Sequence, residues 1–181
     1  LYWADESTQK IERCNLDGTA RTDVVTGLNM PIGLAIQLPV SPNVTPLNDS
    51  NFFTARDLWF SDQASATATY GHIRDWNVSA VTDMSQAFKN RTNFDDNITG
   101  WDVSNVTNMN EMFLGASKFN QAIGQWDTSS LINIRDMFLG ASDFNQPLGG
   151  WDTSSVANMM GVFKHANSFD QDLSDWNFSA V

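Results

Sequence analysis

Residues 101–125 read WDVSNVTNMNEMFLGASKFNQAIGQ, and this pattern recurs at a spacing of 25 residues from Trp76 to Val181. Tryptophan stands at Trp76, Trp101, Trp126, Trp151 and Trp176. Two phenylalanine positions keep the same step: Phe88, Phe113, Phe138 and Phe163, then Phe94, Phe119, Phe144 and Phe169. So do an aliphatic position (Val81, Val106, Leu131, Val156, Val181) and a small polar one (Ser79, Ser104, Ser129, Ser154, Ser179). A fixed period of this length marks a stack of units, each burying its apolar side against a neighbour. Function is therefore expected on the surface of the stack and not in an enclosed pocket.

Within one unit, Ile98, Trp101 and Val103 are spaced as in a strand that alternates inward. Val106, Met109, Met112 and Phe113 then change to steps of three and four, which predicts a short helix or 3-10 turns ended by Gly115, or by Gly140 in the next unit. Each coil would run strand, turn, short helix and a return through Phe119 and Ile123. Stacking would set Trp on Trp and Phe on Phe near the roughly 4.8 Å spacing of paired strands. Each large apolar side chain so buried contributes about 1.5–3 kcal/mol. Asn120-Gln121, Asn145-Gln146 and Asp170-Gln171 recur at one place, where a side-chain ladder is expected to satisfy turn backbone.

The run from Trp101 to Gln121 resembles the BspA-like bacterial surface-protein repeat, and Tyr70-Gly71-His72-Ile73 resembles its lead-in. The likeness covers about 51–181, with Ile134 in place of Met and Thr128 and Thr153 in place of Val. It implies a leucine-rich-repeat-like fold and an association with surface, adhesive or secreted proteins. The expected fold class is an α/β repeat solenoid, leucine-rich-repeat-like, with four full coils and the start of a fifth. A helical N-terminal cap and a single antiparallel β blade precede it.

Four segments are expected. Residues 76–181 are the solenoid. Residues 51–75 are its cap, where Phe52, Phe53, Ala55, Leu58, Trp59 and Phe60 fit an amphipathic helix with Asp49, Ser50 or Asn51 as N-cap. Residues 38–50, with Pro39, Pro42 and Pro46, read as a linker. In residues 1–37, Tyr2-Trp3-Ala4-Asp5, Ile11-Glu12-Arg13 and Pro31-Ile32-Gly33-Leu34-Ala35 read as short strands, with Asp17-Gly18 as a turn signal. Residues 1–36 resemble one LDL-receptor class B (YWTD) repeat, a blade of a β-propeller, departing from it at Ala4, Cys14 and Gln37. A single blade has open edges, and the last unit stops just after Trp176, so the stack is expected to continue in a longer chain or to meet another molecule.

Chemistry is sparse. The chain carries a net charge of −11, and its ten Lys and Arg residues are scattered, which leaves no basic footprint for nucleic acid. No apolar run nears the roughly 20 residues of a membrane span, so no membrane insertion is expected within this segment. Cys14 stands alone, a small thiol without a disulfide or metal framework. Asp102, Asp127 and Asp152 begin successive units, but Asn77 and Asn177 replace them, which argues for a turn role over calcium or acid-base work. His72 lacks a second His or Cys beside it, His165 falls at a variable, exposed position, and Met84, Met109 and Met159 fill core positions. No catalytic, metal-binding or cofactor-binding residue is assigned, and the enzyme reading is set aside.

Seven N-x-S/T sequons occur, at Asn43, Asn48, Asn77, Asn90, Asn97, Asn105 and Asn177. They are candidate glycosylation sites and point to an extracellular or cell-surface protein. The units beginning at Trp126 and Trp151 hold none, which suggests a glycan-free contact flank. The expected function is that of an extracellular structural or adhesive repeat protein, a stiff assembly unit of a surface or filamentous structure. Its partners would be other protein subunits or copies of itself, with glycans as a further class. The alternative is an extracellular receptor module that recognises protein or glycan on the solenoid strand face.

Overall fold

The computed structural model describes residues 2–5, 10–13, 22–25 and 44–181, and the chain divides into two units, Leu1–Val40 and Ser41–Val181. In the first unit, strands β1 (Tyr2–Asp5), β2 (Lys10–Arg13) and β3 (Thr22–Val25) pair antiparallel in that order. Trp3 lies opposite Glu12 and Ala4 opposite Ile11, and a bulge between Ile11 and Glu12 shifts the register onto β3. Cys14, Asp17-Gly18 and the strand expected at Pro31 to Ala35 lie outside the described residues.

The second unit begins with residues that pack at once. Thr45 N donates to Thr69 O at 2.9 Å, Leu47 is buried, and Asn48 bridges to Ala80. Helix α1 (Phe52–Ser61) follows. The carboxamide of Asn51, at its N-terminus, turns back instead of capping: Oδ1 accepts from Asn48 N at 2.8 Å and Nδ2 donates to Pro46 O at 2.9 Å. Phe52, Ala55 and Trp59 form its buried stripe at helical spacing. Asp62 ends α1 and caps α2 (Gln63–Tyr70), accepting from Ser65 N at 3.1 Å and Ser65 Oγ at 2.6 Å. Gly71, at φ +82°, lets the chain leave α2. Edge-on contacts from Phe52 to Trp76 and Trp101, and from Phe60 to Phe88 and Phe94, cover one end of the aromatic rows. His72 has the packing role its isolation implies: its ring meets Trp59 edge-on at 4.8 Å, and Nδ1 accepts from Arg74 N at 3.3 Å.

From Trp76 onward, residues 25 apart lie over one another. Phe88, Phe113, Phe138 and Phe163 stack at 5.5–5.6 Å between ring centroids, and Phe94, Phe119, Phe144 and Phe169 at 5.8–5.9 Å. Within each coil the two rings also stack, at 3.8–4.2 Å, so the rows fuse into one aromatic slab. Trp76 stacks on Trp101, and Trp126, Trp151 and Trp176 stack in series. The tryptophan row is interrupted between Trp101 and Trp126, and Trp126 Nε1 is buried without a partner. Nothing in the structure explains this break.

The expected fold class is corrected on one point of chemistry. No residue of 76–181 lies in a strand or an α-helix, and α1, α2 and the 3-10 turn Ile73–Asp75 are the helical elements among the described residues. Coils meet through isolated parallel bridges, Asp83 to Asn108, Asn108 to Asn133 and Asn133 to Asn158. Met84, Gln86, Phe88 and Asn90 donate their N–H groups to the carbonyls of Asn108, Asn110, Met112 and Leu114, and the pattern repeats at the next two steps, all at 2.6–2.9 Å. A helix needs those donors for the carbonyl four residues back, so none forms. Intervening residues close turns instead, as Ala87 N does on Met84 O and Lys89 N on Gln86 O. The price is a left-handed backbone at two residues per coil, four apart: Gln86, Asn90, Glu111, Gly115, Asp136, Gly140, Gly161 and His165 all have φ between +52° and +73°. Gly115 and Gly140 therefore end no helix.

The strand expected at Trp101 to Val103 fails for a related reason. Its burial alternates as predicted, but Asp102 Oδ1 takes Ser104 N at 3.1 Å and closes a turn before any neighbouring coil can pair. A leucine-rich-repeat-like α/β solenoid is therefore not the architecture; a stack of turns is. The β blade is not carried forward either, because the described part of residues 1–37 is three four-residue strands and residues 44–181 contain no sheet.

Candidate functional site

The surface of the stack is built from short polar motifs that recur with the coil. At the start of each coil an Asx side chain accepts from the N–H of the residue two places on, and in the first three coils from its hydroxyl as well. Asn77 does so with Ser79, Asp102 with Ser104 and Asp127 with Ser129, at 3.0–3.1 Å to nitrogen and 2.6–2.7 Å to oxygen. Asp152 and Asn177 accept from Ser154 N and Ser179 N at 2.9 Å. Asp and Asn are interchangeable here because only an acceptor oxygen is required. These aspartates thus have the turn role expected of them. Bonds from Ser129, hydroxyl first and then N–H, hold the Asp127 carboxyl below the ordinary carboxylate range, and Ser154 and Ser174 do the same for Asp152 and Asp172.

The sequons divide on the same geometry. Asn48, Asn77 and Asn97 each fold onto the N–H and hydroxyl of their own sequon Ser or Thr, and Asn177 onto its Ser179 N. In the units beginning at Trp101, Trp126 and Trp151, Asp102, Asp127 and Asp152 occupy the turn that Asn77 holds, and Ser130 and Ser155 stand where the Trp101 unit has Asn105. Asn105 instead donates Nδ2 to Ser79 O at 2.9 Å, and Asn90 stands exposed in the left-handed region at φ +59°. Asn43 lies outside the described residues.

A second ladder runs along another edge. Asp95 Oδ1 accepts from Asn120 N and Gln121 Nε2, Asn120 Oδ1 from Asn145 N and Gln146 Nε2, and Asn145 Oδ1 from Asp170 N and Gln171 Nε2, all at 2.8–3.0 Å. The recurring Asn-Gln pairs do satisfy turn backbone.

One concentration of charge is not visible in the order of residues. Between α1 and the first coil lies a cleft of about 610 Å³ lined by Phe53, Arg56, Gln86, Lys89, Asn90 and Arg91. Three of the seven Lys and Arg residues of 44–181 meet there. Arg56 is anchored by Nη1 donating to Ala87 O at 2.7 Å and Gln86 O at 3.2 Å, while its buried Nε lies 2.8 Å from Asp57 Oδ1 but out of line for a hydrogen bond. Lys89 pairs with Glu111, and Arg91 sits 4.2 Å over the Phe60 ring and 3.7 Å from Asp57. Helical spacing brings Phe53 and Arg56 to one side of α1, and the coil's turns supply the rest. Reading the cations as scattered missed this cluster, because Arg56 lies 33 residues before Lys89 and only the docking of α1 joins them.

Among the described residues, no group of three His, Cys, Asp or Glu side chains is placed to hold a metal ion, and no helix is long and apolar enough to cross a membrane. No solved structure matches the chain. A family model described as "Mycoplasma protein of unknown function, DUF285" matches residues 58–176, which covers the last turn of α1, all of α2 and the stacked coils to Trp176. The match is to this family and not to leucine-rich or YWTD repeats, which corrects that part of the sequence reading. On the strength of a match over most of its length, the chain belongs to the DUF285 family.

Proposed function

We propose that the chain is an extracellular structural or adhesive repeat protein, a stiff assembly unit of a surface or filamentous structure that acts through protein–protein contacts. One observation carries this reading: the backbone bonds between coils and the Asx turns that open each coil repeat along the stack, so the exterior offers the same turn at regular intervals. A periodic, rigid surface suits repeated contacts with other subunits or copies, because little conformational entropy is lost when they form. The likeness of Trp101–Gln121 to the BspA-like repeat supports a surface setting. The sequons lend no further support, since the Asx turns account for Asn48, Asn77, Asn97 and Asn177. Recognition on a strand face is not proposed, because residues 76–181 form no strand.

The test is electron microscopy of the purified full chain at rising concentration, with sedimentation velocity alongside. Ordered filaments or sheets are expected. A dispersed monomer at every concentration, capturing a soluble ligand, would defeat the assembly reading.

A further inference from the structure

Among the described residues, the cleft between α1 and the first coil is where an acidic chain gathers positive charge. Arg56, Lys89 and Arg91 converge there, and the two carboxylates that contact them, Asp57 and Glu111, lie outside the lining. Three cations against two anions leave a net positive opening on a chain whose total charge is −11. Phe53 lines one wall, with the Arg56 guanidinium 5.0 Å from its ring centroid, and Arg91 is held over Phe60, so two cations are oriented by aromatic faces. Lys89 and Arg91 retain one-third and two-fifths of their side-chain exposure, enough to reach a ligand, while Arg56 is mostly covered and fixed by two carbonyls. A planar guanidinium beside a mobile ammonium is the arrangement that takes a carboxylate.

Among the described coils, the one farthest from α1 supplies that chemistry. The coil from Trp151 to Asp175 exposes Asp152, Asp170, Asp172 and Asp175 against a single cation, Lys164. Asp172 and Asp175 line a shallow groove of about 440 Å³ with Pro147 and Gly149.

We infer that the Arg56–Lys89–Arg91 cleft binds the carboxylate-rich turn Asp170–Asp175 of a second copy of this chain. The inference rests on the assembly reading above and gives it a direction: two different surfaces meet, so the contact is heterologous and propagates head to tail. Electrostatic complementarity governs encounter and register, and the contact weakens with salt.

The full chain, produced without N-glycosylation so that Asn90 carries no sugar, is titrated against a fluorescent peptide of residues 168–177. Arms with the Asp→Asn version of that peptide and with a sulfated oligosaccharide run in parallel. Saturable binding is expected that weakens at least tenfold in Arg91→Glu, several-fold in Lys89→Gln, and at least tenfold with the Asp→Asn peptide or in 0.5 M salt. Unchanged melting temperatures in both variants exclude a folding effect. Absence of binding, or equal binding by Arg91→Glu, overturns the inference; binding of the oligosaccharide alone overturns it in favour of a glycan site. Filaments that persist in Arg91→Glu remove this cleft from the assembly but leave the assembly reading standing. Peptide binding without wild-type filaments removes that reading instead, and with it the head-to-tail contact.

Discussion

Trp151 donates its indole Nε1–H to the carbonyl of Ile123, 3.1 Å away in the coil before it. Trp101 and Trp176 make the equivalent bonds to Ile73 and Leu148 at 2.8 and 2.9 Å, whereas Trp126 Nε1 is buried without a partner. Replacement by Phe removes similar volume at either site, but only at Trp151 does it remove a hydrogen bond, a net loss of about 1 kcal/mol. Trp151→Phe is therefore expected to cost about 1 kcal/mol more than Trp126→Phe. Urea unfolding followed by circular dichroism measures the difference; equal losses would show that the Trp126 indole is bonded in solution.

Phe119 is fully buried, stacked on Phe94 and Phe144 at 5.8 Å and on Phe113 at 3.8 Å. Truncating such a ring leaves a cavity between coils that cannot collapse without breaking the backbone bonds on either side. Phe119→Ala should lose about 3–5 kcal/mol. Phe169 is partly exposed and stacks on Phe144 and Phe163 alone, so Phe169→Ala should lose markedly less. A comparison of denaturant midpoints with unchanged slopes decides it.

Asp136 has a left-handed backbone at φ +52°, and Gly161 takes the same position one coil later at φ +67°. Removing the Cβ relieves steric conflict worth about 1 kcal/mol. Asp136→Gly should raise the unfolding free energy by about that much. The reverse change, Gly161→Ala, meets both the strained φ and the Asp136 carboxylate, 2.2 Å from where the new Cβ would lie, and should destabilise. Thermal melts of the two variants should move in opposite directions.

Acid should loosen the turns. The carboxyls of Asp49, Asp127 and Asp152 are held below their ordinary value of 3.8, Asp49 chiefly by the Thr82 hydroxyl and then its N–H. A depressed folded pKa gives stability that is complete above the unfolded value and lost as pH falls through the folded one. The fold should thus weaken below about pH 4. The Asp127→Asn and Asp152→Asn double variant keeps the acceptor, as Asn77 and Asn177 do, and should flatten that decline. An acid limb identical to wild type would show that these two turns do not contribute to it.

The period, the core and the cap were readable because they depend on which residues avoid water. Trp, Phe and Met positions 25 apart are buried wherever the stack is closed, and Phe52, Ala55 and Trp59 carry the helical spacing of α1. The path of the backbone between those positions was not readable. Spacings of three and four from Val106 to Phe113 suit a helix, yet the same spacing arises when alternate N–H groups bond the next coil and the rest close turns. Left-handed Glu111 and Gln86 give no warning of this, since neither residue type favours that region. The cationic cleft stayed hidden because it depends on tertiary docking, while the Asx turns were half visible in the exchange of Asp for Asn.

The bonds that Met84, Gln86, Phe88 and Asn90 make to the following coil are answered by others that run back, from Thr107 N to Thr82 O, Lys118 N to Thr92 O and Asn120 N to Asp95 Oδ1. Each junction is a two-way exchange, with donors and acceptors offered from both sides in a fixed register. A finished coil is therefore a template, whose open face sets the backbone path of the next one.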